Sequence, residues 1–228
     1  MSATDNSKKK FAVIFDMDGV IVDSNPYHKK AIRHFNKKYD ISLSDHELEN
    51  KVFGRTNESW LREVFGKDLS DKRLKELEEE KESYFREIFA ADIKPLPGLL
   101  PFLRSLQEAG IPAAVASSAP EKNVSFTLER TGSVKYFKLI VNGDSVTHSK
   151  PHPEIYLKTA GKLNMAPEHC IVFEDSLSGV QSAKRANCRV IGITTTHSKE
   201  DLKEADKTIA DFHEITIDSL NEQFTGTK

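Results

Sequence analysis

Two cysteines in 228 residues leave no room for a disulfide framework, and Cys170 and Cys188 fit no zinc-ligand spacing. Both fall in stretches read as strands, where a thiol serves as a small buried hydrophobe. Their expected state is reduced, in the cytoplasm. An excess of one charge is missing too. Lys and Arg number 33 against 35 Asp and Glu, a net charge of −2 that gives no sign of a nucleic-acid or membrane-surface partner. Long apolar runs are absent, and the first short one, Phe11–Phe15, is too short for a signal peptide or a membrane span. There is no internal repeat and no low-complexity tract. The chain is longer than one average domain and short for three, and its 38% hydrophobic content suffices for a real core. Residues 1–9 are polar and expected to be disordered.

What is present is a series of short apolar segments. Phe11–Phe15, Ala113–Ala116, Leu139–Val141, Cys170–Phe173 and Val190–Ile193 are apolar on both faces and flanked by polar residues, Gly or Pro. Buried parallel strands read this way. Helical spacing separates them. Val124 and Leu128 share a face behind Pro120; Tyr156, Ala160 and Leu163 mark a second helix; Val180 and Ala183 mark a third that starts near Ser176. Strands alternating with helices predict an α/β fold with a doubly wound parallel sheet and right-handed crossovers. Ligands bind such sheets beyond the carboxyl ends of the strands. Asp16, Ser117 and Asp175 each stand just past such an end.

Residues 25–94 read differently. Leu74, Leu77, Lys81, Tyr84 and Ile88 form an apolar stripe interrupted by one Lys, with Glu76 and Glu78–Glu80 as its solvated face. Trp60 and Val64 suggest a second amphipathic helix, and Ile32, Phe35 and Tyr39 a third. Pro95-Leu96-Pro97-Gly98 breaks the pattern. The expectation is an all-helical insert at 25–94, large enough to be a small domain. It divides a core of 1–24 and 95–228 after the first strand and overhangs the site.

Asp16-Met17-Asp18-Gly19-Val20 follows the first apolar run directly. Residues two apart on a strand lean the same way, and two charges about 4 Å apart repel by roughly 4 kcal/mol at an effective dielectric near 20. A chain retains such a pair for a cation or a proton-transfer task. Asp16 is the candidate nucleophile toward a phosphoryl group, and Asp18 the general acid and then base. That role requires Asp18 to titrate nearer neutrality than Asp16. Glu174-Asp175 brings two more carboxylates. Together the acids call for a hard divalent cation, Mg2+, held by Asp16, Asp175, the Asp18 backbone carbonyl and Glu174, directly or through water. Taken alone, Glu174-Asp175 reads as a helix N-cap, with Asp175 or Ser176 capping; beside Asp16 and Asp18 the acidic reading prevails. Ser117 and Ser118 suit phosphate oxygens at a helix N-terminus, though a capping serine looks the same. Lys150 could neutralise Asp16 and bind phosphate as a point charge.

The ordered set Asp16-Met17-Asp18-Gly19-Val20-Ile21-Val22-Asp23-Ser24, Ser117, Lys150-Pro151 and Glu174-Asp175-Ser176 resembles the haloacid dehalogenase superfamily. Within it the chain is similar to the β-phosphoglucomutase-like phosphatases, over roughly residues 11 to 220. The resemblance implies a Rossmann-like core with an inserted helical cap, magnesium and an aspartyl-phosphate intermediate. It implies Asp16 as nucleophile, Asp18 as acid/base, Ser117 and Lys150 as the phosphate-binding pair, and Glu174 and Asp175 as metal acids. The second Asp argues against the dehalogenase branch.

Substrate choice is expected to lie in the cap. Where the mutase pattern reads Lys-Gly-x-Ser-Arg, this chain reads Phe53-Gly54-Arg55-Thr56-Asn57. The mutase Arg grips the phosphate that is not transferred, and Asn57 supplies no bidentate charged grip. Losing that contact is worth on the order of 1.5–3 kcal/mol. Arg55 is either a neighbouring substitute or a surface Arg. His28 matches a position near the cap entrance, where a lone His also serves structure. Ser118, His28, Gly54, Arg55 and Asn57 are therefore the expected substrate-binding residues. The expected activity is hydrolysis of a small sugar or polyol phosphomonoester by a monomer. A hexose-phosphate mutase is the alternative, followed by an inorganic pyrophosphatase and a non-catalytic sugar-phosphate sensor.

Overall fold

A computed structural model describes residues 11–44, 47–48 and 56–225. The polar stretch 1–9 lies outside these residues. Six strands form one parallel sheet: β1 (Ala12–Phe15), β2 (Ala113–Ala116), β3 (Leu139–Val141), β4 (Cys170–Glu174), β5 (Arg189–Ile193) and β6 (Lys207–Ile209). Their spatial order is β3-β2-β1-β4-β5-β6. This is the doubly wound arrangement, whose winding reverses between β1 and β4 and opens a crevice at their carboxyl ends. Register aligns Phe15 with Val115 on one side and with Phe173 on the other.

Alternation divides the core. Val13, Phe15, Val115, Ile171 and Phe173 point to one face, under helices α4 (Leu99–Glu108) and α5 (Glu121–Arg130). There Phe15 stacks on Phe173 at 5.2 Å between ring centroids. Ile14, Ala114, Val172 and Val190 point to the other face, under α6 (Glu154–Lys162) and α7 (Leu177–Arg185). Helix α8 (Ile217–Thr225) closes the chain, with Leu220 in the first cluster.

Between β1 and α4 lie α1 (Asn25–Lys38), α2 (Asn57–Phe65) and α3 (Asp71–Phe89). They bury their own cluster of Ile32, Phe35, Trp60, Leu61, Leu74 and Leu77. No helix among the described residues is long and apolar enough to cross a membrane.

Four details depart from the sequence reading. Strand β6 has no counterpart in it, because Lys-Thr-Ile is a three-residue edge strand with one buried residue and carries too little pattern. Helix α4 follows directly on the Pro-Gly segment, since Gly98 adopts φ +76° at its start and Leu99, Phe102, Leu103 and Leu106 bury one face. Glu78–Glu80 are half-buried rather than solvated, because Glu80 pairs with Lys38 at 2.7 Å and Glu79 with Arg86 at 2.7 Å. Lys81, read as a break in the apolar stripe, is itself buried, and so is its neighbour Glu82.

Candidate active site

The sheet topology puts three acids together. The Asp16 amide donates to the Phe173 carbonyl at 3.0 Å, extending the β1–β4 ladder by one step. Glu174 ends β4 and Asp175 follows it. Carboxylate oxygens of Asp16, Glu174 and Asp175 lie within 4.8 Å of one another, and all three residues are buried. Lys150, from the loop before α6, donates to Asp16 Oδ1 at 2.6 Å and to Glu174 Oε1 at 2.5 Å. With all three ionised, the one ammonium, bonded to Asp16 and Glu174, would leave two negative charges uncompensated.

The electrostatics follow from that imbalance. Burial first, then Glu174 and Asp18, push the Asp16 carboxyl from 3.8 up to about 7, with Lys150 pulling the other way. Asp175 is driven well above its ordinary value by burial and by Glu174 and Asp16. Burial would also raise Glu174, but Lys150 and Tyr156 outweigh it and hold that carboxyl low. Tyr156 donates to Glu174 Oε1 at 2.7 Å, while Oε2 accepts from the amides of Asp175 (3.0 Å) and Ser176 (3.1 Å) and from Ser176 Oγ (3.0 Å). Burial opposes charge on Lys150, but its two carboxylates keep it firmly protonated. Hard oxygen donors, close together and with a charge of −2, fit a magnesium ion and suit no soft metal.

Asp18 stands apart from that cluster. Its Oδ1 accepts from Ser24 Oγ at 2.5 Å and lies 3.5 Å from His28 Nε2. Burial would raise its carboxyl, yet His28 and Ser24 bring it below the ordinary value. The order of the two acids is thus the reverse of the sequence expectation. Asp16 is crowded by carboxylates, whereas Asp18 has an imidazole and a hydroxyl beside it. A dication at the cluster would lower Asp16. Between them Gly19 adopts φ +76°, and a Cβ there would run into the Asp175 carboxylate. Thr195 Oγ1 donates to the Gly19 carbonyl at 2.5 Å, and Thr196 Oγ1 donates to Asp175 Oδ2.

Ser117 is buried at the same edge of the sheet, its amide donating to the Val141 carbonyl at 3.0 Å and its Oγ accepting from the Ala119 amide at 3.0 Å. Ser118 is exposed. Ser176 caps α7 by accepting from the Gly179 amide at 3.0 Å, so the capping reading of this segment holds alongside the acidic one. Gly54 and Arg55 lie outside the described residues. Asn57 directs its amide inward, donating to Glu82 Oε1 at 2.7 Å and accepting from Trp60 Nε1 at 3.4 Å. His28 stacks on Phe85 with 3.7 Å between ring centroids and lies 3.4 Å from Lys81 Nζ.

Sequence reasoning missed Ser24, Tyr156, Thr196, Lys81, Glu82 and Asn123. Only Lys81 left a signal, as a charge on an apolar stripe. The others are ordinary polar residues whose role depends on tertiary neighbours.

A family model described as haloacid dehalogenase-like hydrolase matches residues 13–193. A phosphorylated carbohydrates phosphatase of Thermotoga maritima is 37% identical over 197 residues, 84% of this chain and 88% of that protein. A haloacid dehalogenase hydrolase of Entamoeba histolytica, family IA variant 3, superposes with a TM-score of 0.86 at 32% identity, covering 95% of this chain and 100% of its own. A beta-phosphoglucomutase of Clostridium difficile superposes with a TM-score of 0.82 at 28% identity, over 95% and 97% of the two chains.

Proposed function

The chain is a haloacid dehalogenase-like hydrolase, and from that premise we propose that it is a magnesium-dependent phosphatase of small phosphomonoesters, sugar or polyol phosphates foremost. The observation that carries this reading is the acid cluster at the carboxyl edge of the sheet, Asp16, Glu174 and Asp175 around Lys150. Asp16 lies among carboxylates on Lys150, and Asp18 lies apart on Ser24 and His28. Without a metal these surroundings rank the two acids opposite to their proposed roles, and a cation on Asp16 together with substrate beside Asp18 would invert that order.

Asp16 attacks phosphorus, its carboxylate forming a bond as the ester P–O bond breaks. Asp18 serves the departing alcohol oxygen as general acid, a role that requires bound substrate to raise a carboxyl which His28 and Ser24 hold low in the free protein. It then takes a proton from the water that attacks the aspartyl-phosphate, which releases inorganic phosphate and restores Asp16. Lys150 and Ser117 hold the phosphoryl oxygens, Lys150 from its position 2.6 Å from Asp16. Asp16 and Asp175, with Glu174 and the Asp18 backbone carbonyl, would hold a magnesium ion, which would supply positive charge toward the phosphoryl group. The helical insert at 25–94 acts as the cap and excludes water on closure. The name of the Thermotoga maritima relative supports a carbohydrate phosphate as substrate class. Asn57, turned onto Glu82, offers no grip for a second phosphate, which favours hydrolysis over mutase chemistry. The protein acts as a cytoplasmic monomer on a small phosphorylated metabolite.

A panel of phosphate esters, with pyrophosphate included, tests the reading by release of free phosphate in Mg2+. Release should vanish with EDTA and in Asp16→Asn. Rapid quenching with a radiolabelled donor should trap phosphate on Asp16. Glucose 1-phosphate should give free phosphate whether or not a hexose bisphosphate is added. Bisphosphate-dependent conversion to the 6-phosphate would identify a mutase instead, and release that persists without divalent metal would overturn the mechanism.

A further inference from the structure

A buried ion pair is a weak source of stability, since desolvation offsets most of its attraction. Lys81 and Glu82 form such a pair on α3, at 2.7 Å and about 5% exposed. No step of the proposed chemistry uses Glu82. Its carboxyl is nonetheless held at about 2, because Lys81, His28 and Asn57 outweigh burial. Its oxygens accept from three residues on three elements. Asn57 of α2 and Lys81 of α3 share Oε1, each at 2.7 Å. Asn123 of α5 donates to Oε2 at 2.7 Å. Asn123 belongs to the helix that packs on the sheet and is fully buried. Its other amide atom, Oδ1, accepts from Arg86 of α3 at 2.6 Å, and Arg86 also reaches Glu79 at 2.7 Å. One amide thus satisfies a carboxylate and a guanidinium of α3 at once, one turn apart on that helix. Farther along, Lys81 lies 3.4 Å from His28, which lies 3.5 Å from Asp18.

We infer that Asn123 is a positioning residue: by clasping Glu82 and Arg86 it docks α3 on the core and thereby fixes the Lys81–His28 contact against Asp18. The orientation of its amide is what makes the clasp work. The NH2 group must face the carboxylate and the carbonyl oxygen the guanidinium, and no isosteric carboxylate or aliphatic group does both. Breaking the clasp leaves Glu82 Oε2 and Arg86 short of a partner in a buried place, so the helix lifts and water enters. The effect reaches catalysis through the placement of His28 on Asp18, without any contact between Asn123 and substrate.

Trp60, the chain's single tryptophan, reports on this network. It is buried, and its indole N–H reaches Asn57, which holds the other side of Glu82. The test is a pair of exchanges read by Trp60 emission and by steady-state kinetics. Asn123→Asp sets a carboxylate against Glu82 and should shift the emission to the red. It should lower kcat/KM by at least about tenfold, most of it in kcat. Adding Glu82→Gln swaps amide and carboxylate across the clasp: the introduced amide can donate to the new acid, and Arg86 gains a charged partner. Glu82→Gln also takes the carboxylate from Lys81, so the double variant should match Glu82→Gln alone, in emission and within about threefold in kcat/KM, rather than add the two losses. Strict additivity, with the double variant worse than either single one, overturns the inference. So does an Asn123→Asp protein whose emission and kcat/KM both stay within about twofold of wild type. If Asn123→Asp does not fold, the double variant is read against Glu82→Gln alone: a double variant that folds with the emission of Glu82→Gln supports the clasp, and one that stays unfolded while Glu82→Gln folds refutes it. The kinetic arm rests on the phosphatase reading and the emission arm does not. A wild type without phosphatase activity would therefore sink that reading, while the emission of the single and double variants would still decide for or against the clasp.

Discussion

Asp16→Asn should abolish turnover and stabilise the protein, and the second effect is the more searching test. In chelated protein the Asp16 carboxyl stands at about 7 instead of 3.8. The folded state therefore keeps a proton that the unfolded chain releases near pH 4, and stability falls as pH rises from about 4 to about 7, then levels off. At about 1.4 kcal/mol per tenfold, the gap between 3.8 and about 7 is worth about 4 kcal/mol at pH 8. Asparagine resembles the protonated acid and escapes that penalty. In EDTA at pH 8 the variant should unfold about 8–16 °C above wild type. The advantage should shrink to under about 2 kcal/mol at pH 5 and close near pH 4. Mg2+ should narrow the gap by raising wild type selectively, by about 2.7 kcal/mol at a hundredfold excess over its dissociation constant, and close it near a thousandfold excess, where the gain is about 4.1 kcal/mol. Differential scanning calorimetry across that pH range, with and without chelator, measures all of this. A chelated variant no more stable than wild type at pH 8, or an advantage that does not change with pH, would refute the charge imbalance assigned to the cluster.

Three further substitutions bear on the same cluster. Lys150→Ala removes the ammonium bonded to both Asp16 and Glu174; it should cost about 3–5 kcal/mol in thermal unfolding at neutral pH and lower phosphate release at least about a hundredfold. Gly19→Ala drives a methyl group into the Asp175 carboxylate from a backbone at φ +76°; stability should fall by roughly 1–3 kcal/mol, and Mg2+ affinity, followed by calorimetric titration, by at least about tenfold. Cys170→Ser lies at the start of β4, the end of the strand away from Glu174; kcat/KM should stay within about twofold of wild type, and a larger loss would mean that the two ends of the strand are coupled.

The parts of the molecule legible in the sequence are those with local causes. Five strands are short apolar runs, four of them buried on both faces and the fifth, β3, at the sheet edge with Ile140 exposed, and the structure moves their ends by one residue at most, as where Glu174 joins β4. Asp16, Ser117 and Glu174-Asp175 were legible for the same reason, since a polar residue just past a buried run must stand at the carboxyl edge of the sheet. Strand β6 was not, because an edge strand is held by pairing with β5 and needs little hydrophobicity of its own. Relative acidity was not legible either. It depends on which carboxylates crowd Asp16 and on His28 arriving beside Asp18 from a helix that sequence places but cannot orient. Glu82 illustrates the limit. Next to Glu78–Glu80 it reads as one more solvated acid, yet its helical position turns it inward toward Asn57 and Asn123.

The distribution of donors among the three clustered acids divides their work. Glu174 receives Lys150, Tyr156, two backbone amides and Ser176 Oγ. An ionised carboxylate has about four lone-pair sites, so this one is filled. It is the fixed point of the cluster, held low in pKa by its partners, and it secures Lys150 beside Asp16. Asp16 accepts from Lys150 through Oδ1, and Asp175 accepts from Thr196 and Asn25 through Oδ2. Among the described residues nothing donates to Asp16 Oδ2 or to Asp175 Oδ1. These two acids are also the ones whose carboxyls rise, which is what lack of compensation does to a buried acid. Asp16 and Asp175 would therefore offer a dication its direct oxygen donors, while Glu174, already filled, would contribute through water. The fold thus fixes one acid completely in order to leave the other two open.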